Sequence, residues 1–319
     1  MAAGRLNEAA QRRQQRRNRV QGVLLLGGMV LTLGLCAWLL FGNEGLLWAV
    51  VLGVGGLVLR PRMRPEWVLR MYRARPLPVA VAPNVHQMVQ TLGAHAGLPR
   101  APTLYYVPTS MLNAFAVGRR TDAAIGVTDG LLRNLTGRQL AGVLAHEISH
   151  ISSDDLWIMT LADTVGRVTH AVAYAGLALL FLGLPMLAGG SPMPLLIALV
   201  LIAVPTVVTL LQLALSRARE FDADLDAVAL TNDPVGLAEA LRTLHAHEGR
   251  IWERILVPHR RTPDPLLLRT HPSTEERVRR LLELSGRQAD LDVPAVPFPP
   301  AAFSPVTQRP RLRAPGIWR

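Results

Sequence analysis

The chain has 319 residues, a net charge of +11 and a positive mean hydropathy of +0.25, with half its residues hydrophobic. One cysteine, Cys36, excludes an internal disulfide framework and a cysteine-based zinc site. All 34 basic residues are arginine, so the charge reads as compositional bias and membrane orientation rather than a nucleic-acid footprint.

Residues 23–41 carry no charge and are long enough to span a bilayer. Residues 45–59 are a shorter apolar run, separated from the first by Gly42, Asn43 and Glu44. The pair predicts a transmembrane hairpin over residues 20–60, behind a basic segment at 1–19. The length of the first run and the second span right after it favour an anchor over a cleaved signal. Arg12, Arg13, Arg16, Arg17 and Arg19 precede the pair, and Arg60, Arg62 and Arg64 follow it. The positive-inside rule therefore puts both ends of the hairpin in the cytoplasm.

Residues 60–78 are basic and punctuated by proline, with Trp67 and Tyr72 interleaved, which suits a connector near lipid headgroups. Val85, Met88, Val89 and Leu92 have helical spacing over 84–96. Short β-rich runs at 103–107, 114–117 and 124–127 predict a small antiparallel sheet. Thr136 and Gln139 match a capping box, and Leu140, Val143, Leu144 and Ile148 form the apolar stripe of the helix that follows.

That helix carries His146-Glu147-Ile148-Ser149-His150, the H-E-x-x-H pattern. Residues four apart share a helical face, so both imidazoles can address one ion. Glu147 stands beside the first ligand, where it can act on a water. The bland alternative is a polar helix with two surface histidines.

A second apolar pair follows at 171–188 and 195–215, joined by the uncharged Gly189, Gly190, Ser191 and Pro192. It predicts a second membrane hairpin within 156–215; the alternative is a pair of buried core helices. Helices are then expected at 216–230, from Pro234 through His247, and at 274–284. Residues 286–319, rich in proline and arginine, are expected to form a poorly ordered tail. The polar segments 61–155 and 216–285 become two halves of one cytoplasmic catalytic domain. A catalytic zinc takes three protein ligands and one open position. Glu220 is the best candidate for the third, with Asp224 on the same face to accept the other N–H of a ligating histidine. The alternative is a solvated run of charge.

Four ordered motifs carry a resemblance. They are residues 146–150, Asn113-Ala114-Phe115-Ala116, the Glu220-Phe221-x-x-Asp224 segment after Ser216 and Arg217, and residues 270–277 around His271-Pro272. Together they resemble the HtpX-type membrane zinc metalloproteases, relatives of the CAAX prenyl proteases, from about Met71 to Leu284. The resemblance implies an α+β, mostly helical gluzincin-like domain with two transmembrane hairpins. It implies one zinc ion per subunit on His146, His150 and Glu220, with Glu147 as general base. By the same resemblance Asp224 is the acid behind a ligand and Asp155 matches a further family position. Asn113 to Ala116 lie where an edge strand meets substrate, His271 steadies the oxyanion, and Arg277 supports it by pairing with a nearby acid. Segment 152–154 departs from the family's commoner spelling and affects local contacts only.

The implied function is endoproteolysis of misfolded or membrane-associated polypeptides at the cytoplasmic face of the cell membrane, as in quality control. About four spans and cytoplasmic termini go with it. The lipid bilayer and polypeptide substrates are the expected partners, nucleic acid is not, and the oligomeric state is not legible. The alternative is a non-proteolytic membrane scaffold or sensor that retains the fold.

Overall fold

The computed structural model describes residues 5–59, 65–255, 274–288, 312–313 and 317–318. His271, the arginines at 60–64 and most of the expected tail lie outside the described residues. The described chain is mostly helical with one small mixed sheet.

Two compact units divide the chain. One holds Gln14–Arg62 and Trp157–Arg219; the other holds Met63–Leu156 and Glu220–Arg319, with Met1–Arg13. Each unit has its own apolar core.

Helix α1 (Arg5–Leu59), which lies in the first unit from Gln14 onward, breaks at Gly42, where φ is 63° and ψ is −145°. Only glycine takes such a backbone without strain. The chain folds back there: a Cβ on Gly34 would sit 3.6 Å from Leu46 Cδ1. In an unbroken helix, residues so far apart in sequence would be separated by about 18 Å. The Gly42 turn expected from the sequence is thus the point of reversal. Among the described residues, three helical stretches are long and apolar enough to cross a membrane: Val20–Gly53, Asp155–Pro185 and Met193–Thr231. The latter two belong to α6 (Asp155–Ala188) and α7 (Met193–Thr231). Many of their side chains are exposed, among them Phe181, Leu182 and Leu210, as expected where lipid rather than protein is the solvent. Gln212 donates to the Ala162 carbonyl at 2.8 Å, a polar tie between α6 and α7.

The second unit begins with α2 (Pro65–Met71), β1 (Arg75–Pro76) and α3 (Pro83–His95). The sheet follows with β2 (Thr103–Val107), β3 (Ala114–Val117) and β4 (Ala124–Thr128), in the order β1-β2-β4-β3. It is not wholly antiparallel. β2 and β4 pair in parallel, while β3–β4 and β1–β2 are antiparallel. The reason is connectivity. Residues 108–113 carry the chain past a vacant strand position to β3 at the edge, and the β3–β4 hairpin then fills the gap. The whole connection from β2 to β4, residues 108–123, is long enough to permit a parallel neighbour, whereas a tight turn is not. Nothing in the alternation of the strands records which route the chain takes.

Helix α4 (Asp129–Asn134) has no counterpart in the sequence expectations. Asp129-Gly130 reads locally as a turn, but the Thr128 hydroxyl accepts from Leu131 N and starts a helix. Helix α5 (Gly137–Ser152) opens on the expected capping box, with the Thr136 and Gln139 side chains both bonded to backbone N–H groups. Its stripe of Leu140, Leu144 and Ile148 is fully buried. α5 packs on β3, on α3 and on α8 (Pro234–Ile255). Gly142 admits α8 closely, since a Cβ there would lie 3.1 Å from Leu237 Cα. α8 packs in turn on α9 (Thr274–Gln288), which contributes Val278 and Leu281 to the core. Short strands β5 (Leu312–Arg313) and β6 (Ile317–Trp318) pair with each other.

Candidate metal centre

The spacing of α5 turns His146 and His150 to one side, and α7 brings Glu220 to meet them. The two Nε2 atoms are 3.2 Å apart. His146 Nε2 lies 3.4 Å from Glu220 Oε2, and His150 Nε2 lies 3.6 Å from Glu220 Oε1. Ligand atoms about 2.0–2.1 Å from a tetrahedral ion are separated from one another by about 3.3 Å. The three donors therefore stand at the edges such an ion requires. They form the cluster able to hold a metal ion among the described residues.

Each imidazole is oriented from behind by a carboxylate. Asp224 lies one turn beyond Glu220 on α7, and its Oδ1 is 3.1 Å from His146 Nδ1. Asp155, the first residue of α6, places Oδ2 3.1 Å from His150 Nδ1. The link between α5 and α6 makes this possible. Asp154 takes φ 57°, reversing the chain so that Asp155 returns to the end of α5. Aspartate tolerates that left-handed backbone better than most residues. With Nδ1–H donated to a carboxylate, Nε2 is left as the free lone pair facing the centre.

The electrostatics favour a cation. Burial pulls the His150 imidazole down, but its bonds to Asp155 and Glu220 outweigh this and raise it well above the ordinary range. His146 is also raised: burial lowers it, and Asp224 and Glu220 more than compensate. The carboxylates that cause these shifts, Asp224, Asp155 and Glu220, surround the centre with negative charge, and an ion bound there would displace the ring protons.

Arg277 of α9 closes the far side. Its Nη1 lies 2.9 Å from Glu220 Oε2, and its Nη2 and Nε donate to Asp224 at 2.6 and 2.8 Å. The sequence expectation paired Arg277 with an unnamed acid in support of His271. The structure shows the acids to be Glu220 and Asp224, so Arg277 braces Glu220 and the carboxylate behind His146. His271 itself is outside the described residues.

Glu147 points the other way, toward the sheet. Its Oε2 accepts the Ala116 N–H of β3 at 2.9 Å. Burial, first, pushes its carboxyl up, against the opposing pull of His146 and His150. A carboxylate whose pKa is raised is a stronger base than an ordinary one.

The strand residues divide. Among the described residues β3 is the outer strand, so its far edge is not bonded to another strand there. Ala114 and Ala116 are buried, and the Phe115 ring packs 5.0 Å from Tyr72. Asn113 is half-buried, with its N–H and C=O both bonded to the Thr128 hydroxyl. What β3 offers is backbone rather than side chain. One further contact had no sequence signal: Ser149, between the two histidines, donates to Asp226 of α7 at 3.2 Å. Its partner lies 77 positions away in sequence.

Asp155→Asn is expected to weaken metal binding about 10–100-fold with little change in fold. Competition against a calibrated chelator measures it; unchanged affinity would show that Asp155 does not orient His150.

Residues 80–285 match the model of peptidase family M48. The chain belongs to that family. Curated relatives agree over most of its length. It is 36% identical over 291 residues to a protease HtpX homolog of Sulfurihydrogenibium sp. (strain YO3AOP1), covering 85% of this chain and 97% of the relative. It is 38% identical over 235 residues to a protease HtpX homolog of Aquifex aeolicus (strain VF5), covering 69% and 78%. Among solved structures it is similar to S. mikatae Ste24p, with a TM-score of 0.46 and 20% identity over 84% of this chain and 66% of that one. The M48 chain is thus a membrane metalloprotease: family and relatives give the peptidase, apolar helices the membrane, and His146, His150 and Glu220 a place for the metal.

Proposed function

We propose that this M48 peptidase is a zinc-dependent endopeptidase that cleaves misfolded or membrane-associated polypeptides at the cytoplasmic face of the cell membrane. The observation that carries the reading is the spacing of 3.2, 3.4 and 3.6 Å among two imidazole nitrogens and a carboxylate, with a second carboxylate beside them. Zinc bound by His146, His150 and Glu220 would supply Lewis acidity toward a water and the scissile carbonyl.

The protein groups do the rest. Asp224 and Asp155 keep the Nε2 lone pairs turned inward, and Arg277 holds Glu220 in place. Glu147 accepts the proton of the attacking water and delivers it to the leaving amine. Its bond to Ala116 N sets the carboxylate against the edge of β3, where an extended peptide can add as a further strand through main-chain bonds. Recognition through backbone favours unfolded segments over a particular sequence. His271 is assigned to the oxyanion by resemblance alone.

The membrane reading is finer than the helices themselves. Counted on either side of the Gly42 break, α1 supplies two spans, and α6 and α7 bring the total to four. Arginine distribution then supports a cytoplasmic position for both termini and the catalytic segments. The ligand-bearing α7 is continuous with an apolar run, and α6 begins at Asp155. This connectivity supports substrates that are themselves held at the membrane.

Detergent-purified protein is expected to digest an unfolded protein such as casein, to lose that activity on treatment with 1,10-phenanthroline, and to regain it with zinc. Digestion that persists in metal-free protein would overturn the reading.

A further inference from the structure

Helix α2 has two apolar faces, and among the described residues only one of them packs within the protein. Pro65 and Leu69, four apart, are buried, and Leu69 is 1% exposed against Val117 and Ala124 of the sheet. Trp67 and Met71, also four apart, point to the opposite side, since residues two apart on a helix differ by about 200°. Each of them is 69% exposed. A Trp and a Met stacked at that spacing on one turn form an apolar ridge rather than scattered surface residues.

The surroundings are basic. Between residues 60 and 75 the sequence has six arginines against one acid, Glu66. Arg70, Arg73 and Arg75 are exposed in the structure. Arg73 ends α2 at φ 52°, and Ala74 N bonds back to Leu69 O at 2.9 Å. That helix-terminating position normally belongs to glycine. An arginine there accepts backbone strain while presenting a guanidinium. The ridge is also held firmly from behind, where Tyr72 packs on Phe115. In sequence, α2 follows the apolar stretch of α1 after residues 60–64 alone.

We propose that α2 is a membrane-docking foot. Trp67 and Met71 enter the interfacial layer of an anionic bilayer, and Arg70, Arg73 and Arg75 engage lipid phosphates. Tryptophan suits that layer because its ring is apolar and its N–H is polar. Arginine pairs with phosphate through its planar fork. The occupant is thus an anionic phospholipid surface, whose charge opposes that of the patch. The proposal rests on the reading of this chain as membrane-inserted, and it concerns a contact separate from the spanning helices. By packing on β3, α2 ties the strand beside Glu147 to the lipid surface.

The test uses the full-length protein in nanodiscs whose lipids carry brominated acyl chains, with and without phosphatidylglycerol in a phosphatidylcholine background. Subtracting the fluorescence of Trp67→Phe from that of the wild type isolates Trp67. That component is expected to be quenched, and more strongly when phosphatidylglycerol is present. The paired variant Arg70→Gln/Arg73→Gln is expected to lose the dependence on phosphatidylglycerol. A Trp67 component that is unquenched in both lipids overturns the proposal, as does quenching indifferent to the anionic lipid. A second copy covering the ridge would also overturn it, appearing as an unquenched Trp67 with a dimer in sedimentation that Trp67→Phe dissociates. Trp38 and Trp48, in the apolar stretch of α1, report insertion itself in the Trp67→Phe protein. None of these readouts needs proteolysis, so failure of the foot and failure of the peptidase reading are distinguishable.

Discussion

Glu147→Gln is expected to lower kcat/KM on an unfolded protein substrate by about 10³-fold or more, the range in which a positioned acid–base group acts. The substitution is close to isosteric. The amide oxygen can still accept the Ala116 N–H that Glu147 now accepts at 2.9 Å, so the side chain keeps its place. What it loses is the ability to take a proton. Metal content should therefore stay at the wild-type level while turnover collapses. Steady-state proteolysis beside metal analysis of the same preparation reads both quantities. Wild-type turnover in a verified Glu147→Gln preparation would remove Glu147 as the base. It would also reopen the scaffold alternative if the parent protein proved equally slow.

Glu220→Ala is expected to do the reverse, emptying the metal site first and losing activity as a consequence. Two effects combine. One of three donors disappears, and the remaining pair of imidazoles gives only two protein ligands where a catalytic zinc takes three. Arg277, buried with a guanidinium nitrogen 2.9 Å from Glu220, also loses a counter-charge. Its two bonds to Asp224 remain, so the cost to stability is about 1–3 kcal/mol rather than that of a fully orphaned buried charge. Glu220→Gln separates the two effects. It keeps an acceptor for Arg277, so thermal stability should recover while metal binding stays weak. Stoichiometric metal in Glu220→Ala would sink the ligand assignment. Equal destabilisation by Ala and Gln would show that the Arg277 contact is not what the stability change reports.

The residues of the centre were legible to different degrees, and the difference is one of range. His146, Glu147 and His150 could be read directly, because a four-residue spacing on a well-capped helix is a local fact. The capping box at Thr136 and the stripe through Ile148 are local in the same way. Glu220 and Asp224 share the same spacing, but nothing local joins them to α5. A chemical need for a third ligand, and then resemblance, connected them.

Other contacts had no local trace at all. Ala116 lies on a short β-rich run, yet its N–H meets Glu147 only because β3 is the edge strand and packs beside α5. The sheet illustrates the same limit. Three strands were visible as β-rich runs, but their order and the parallel pairing of β2 with β4 depend on where the chain crosses. β1 is two residues long and exists only because β2 offers it an edge.

The sequence by itself determined the chemistry and the membrane character. Short-range spacing sets which side chains share a helical face, and uninterrupted apolar runs set which segments exchange water for lipid. Tertiary structure alone decided how that chemistry is braced. Asp155 reaches His150 through a left-handed turn at Asp154, and Arg277 clamps Glu220 and Asp224 from α9. β3 presents its edge beside Glu147. Each of these joins residues distant in sequence or turned by backbone geometry, and long-range packing has no periodicity from which it could be read.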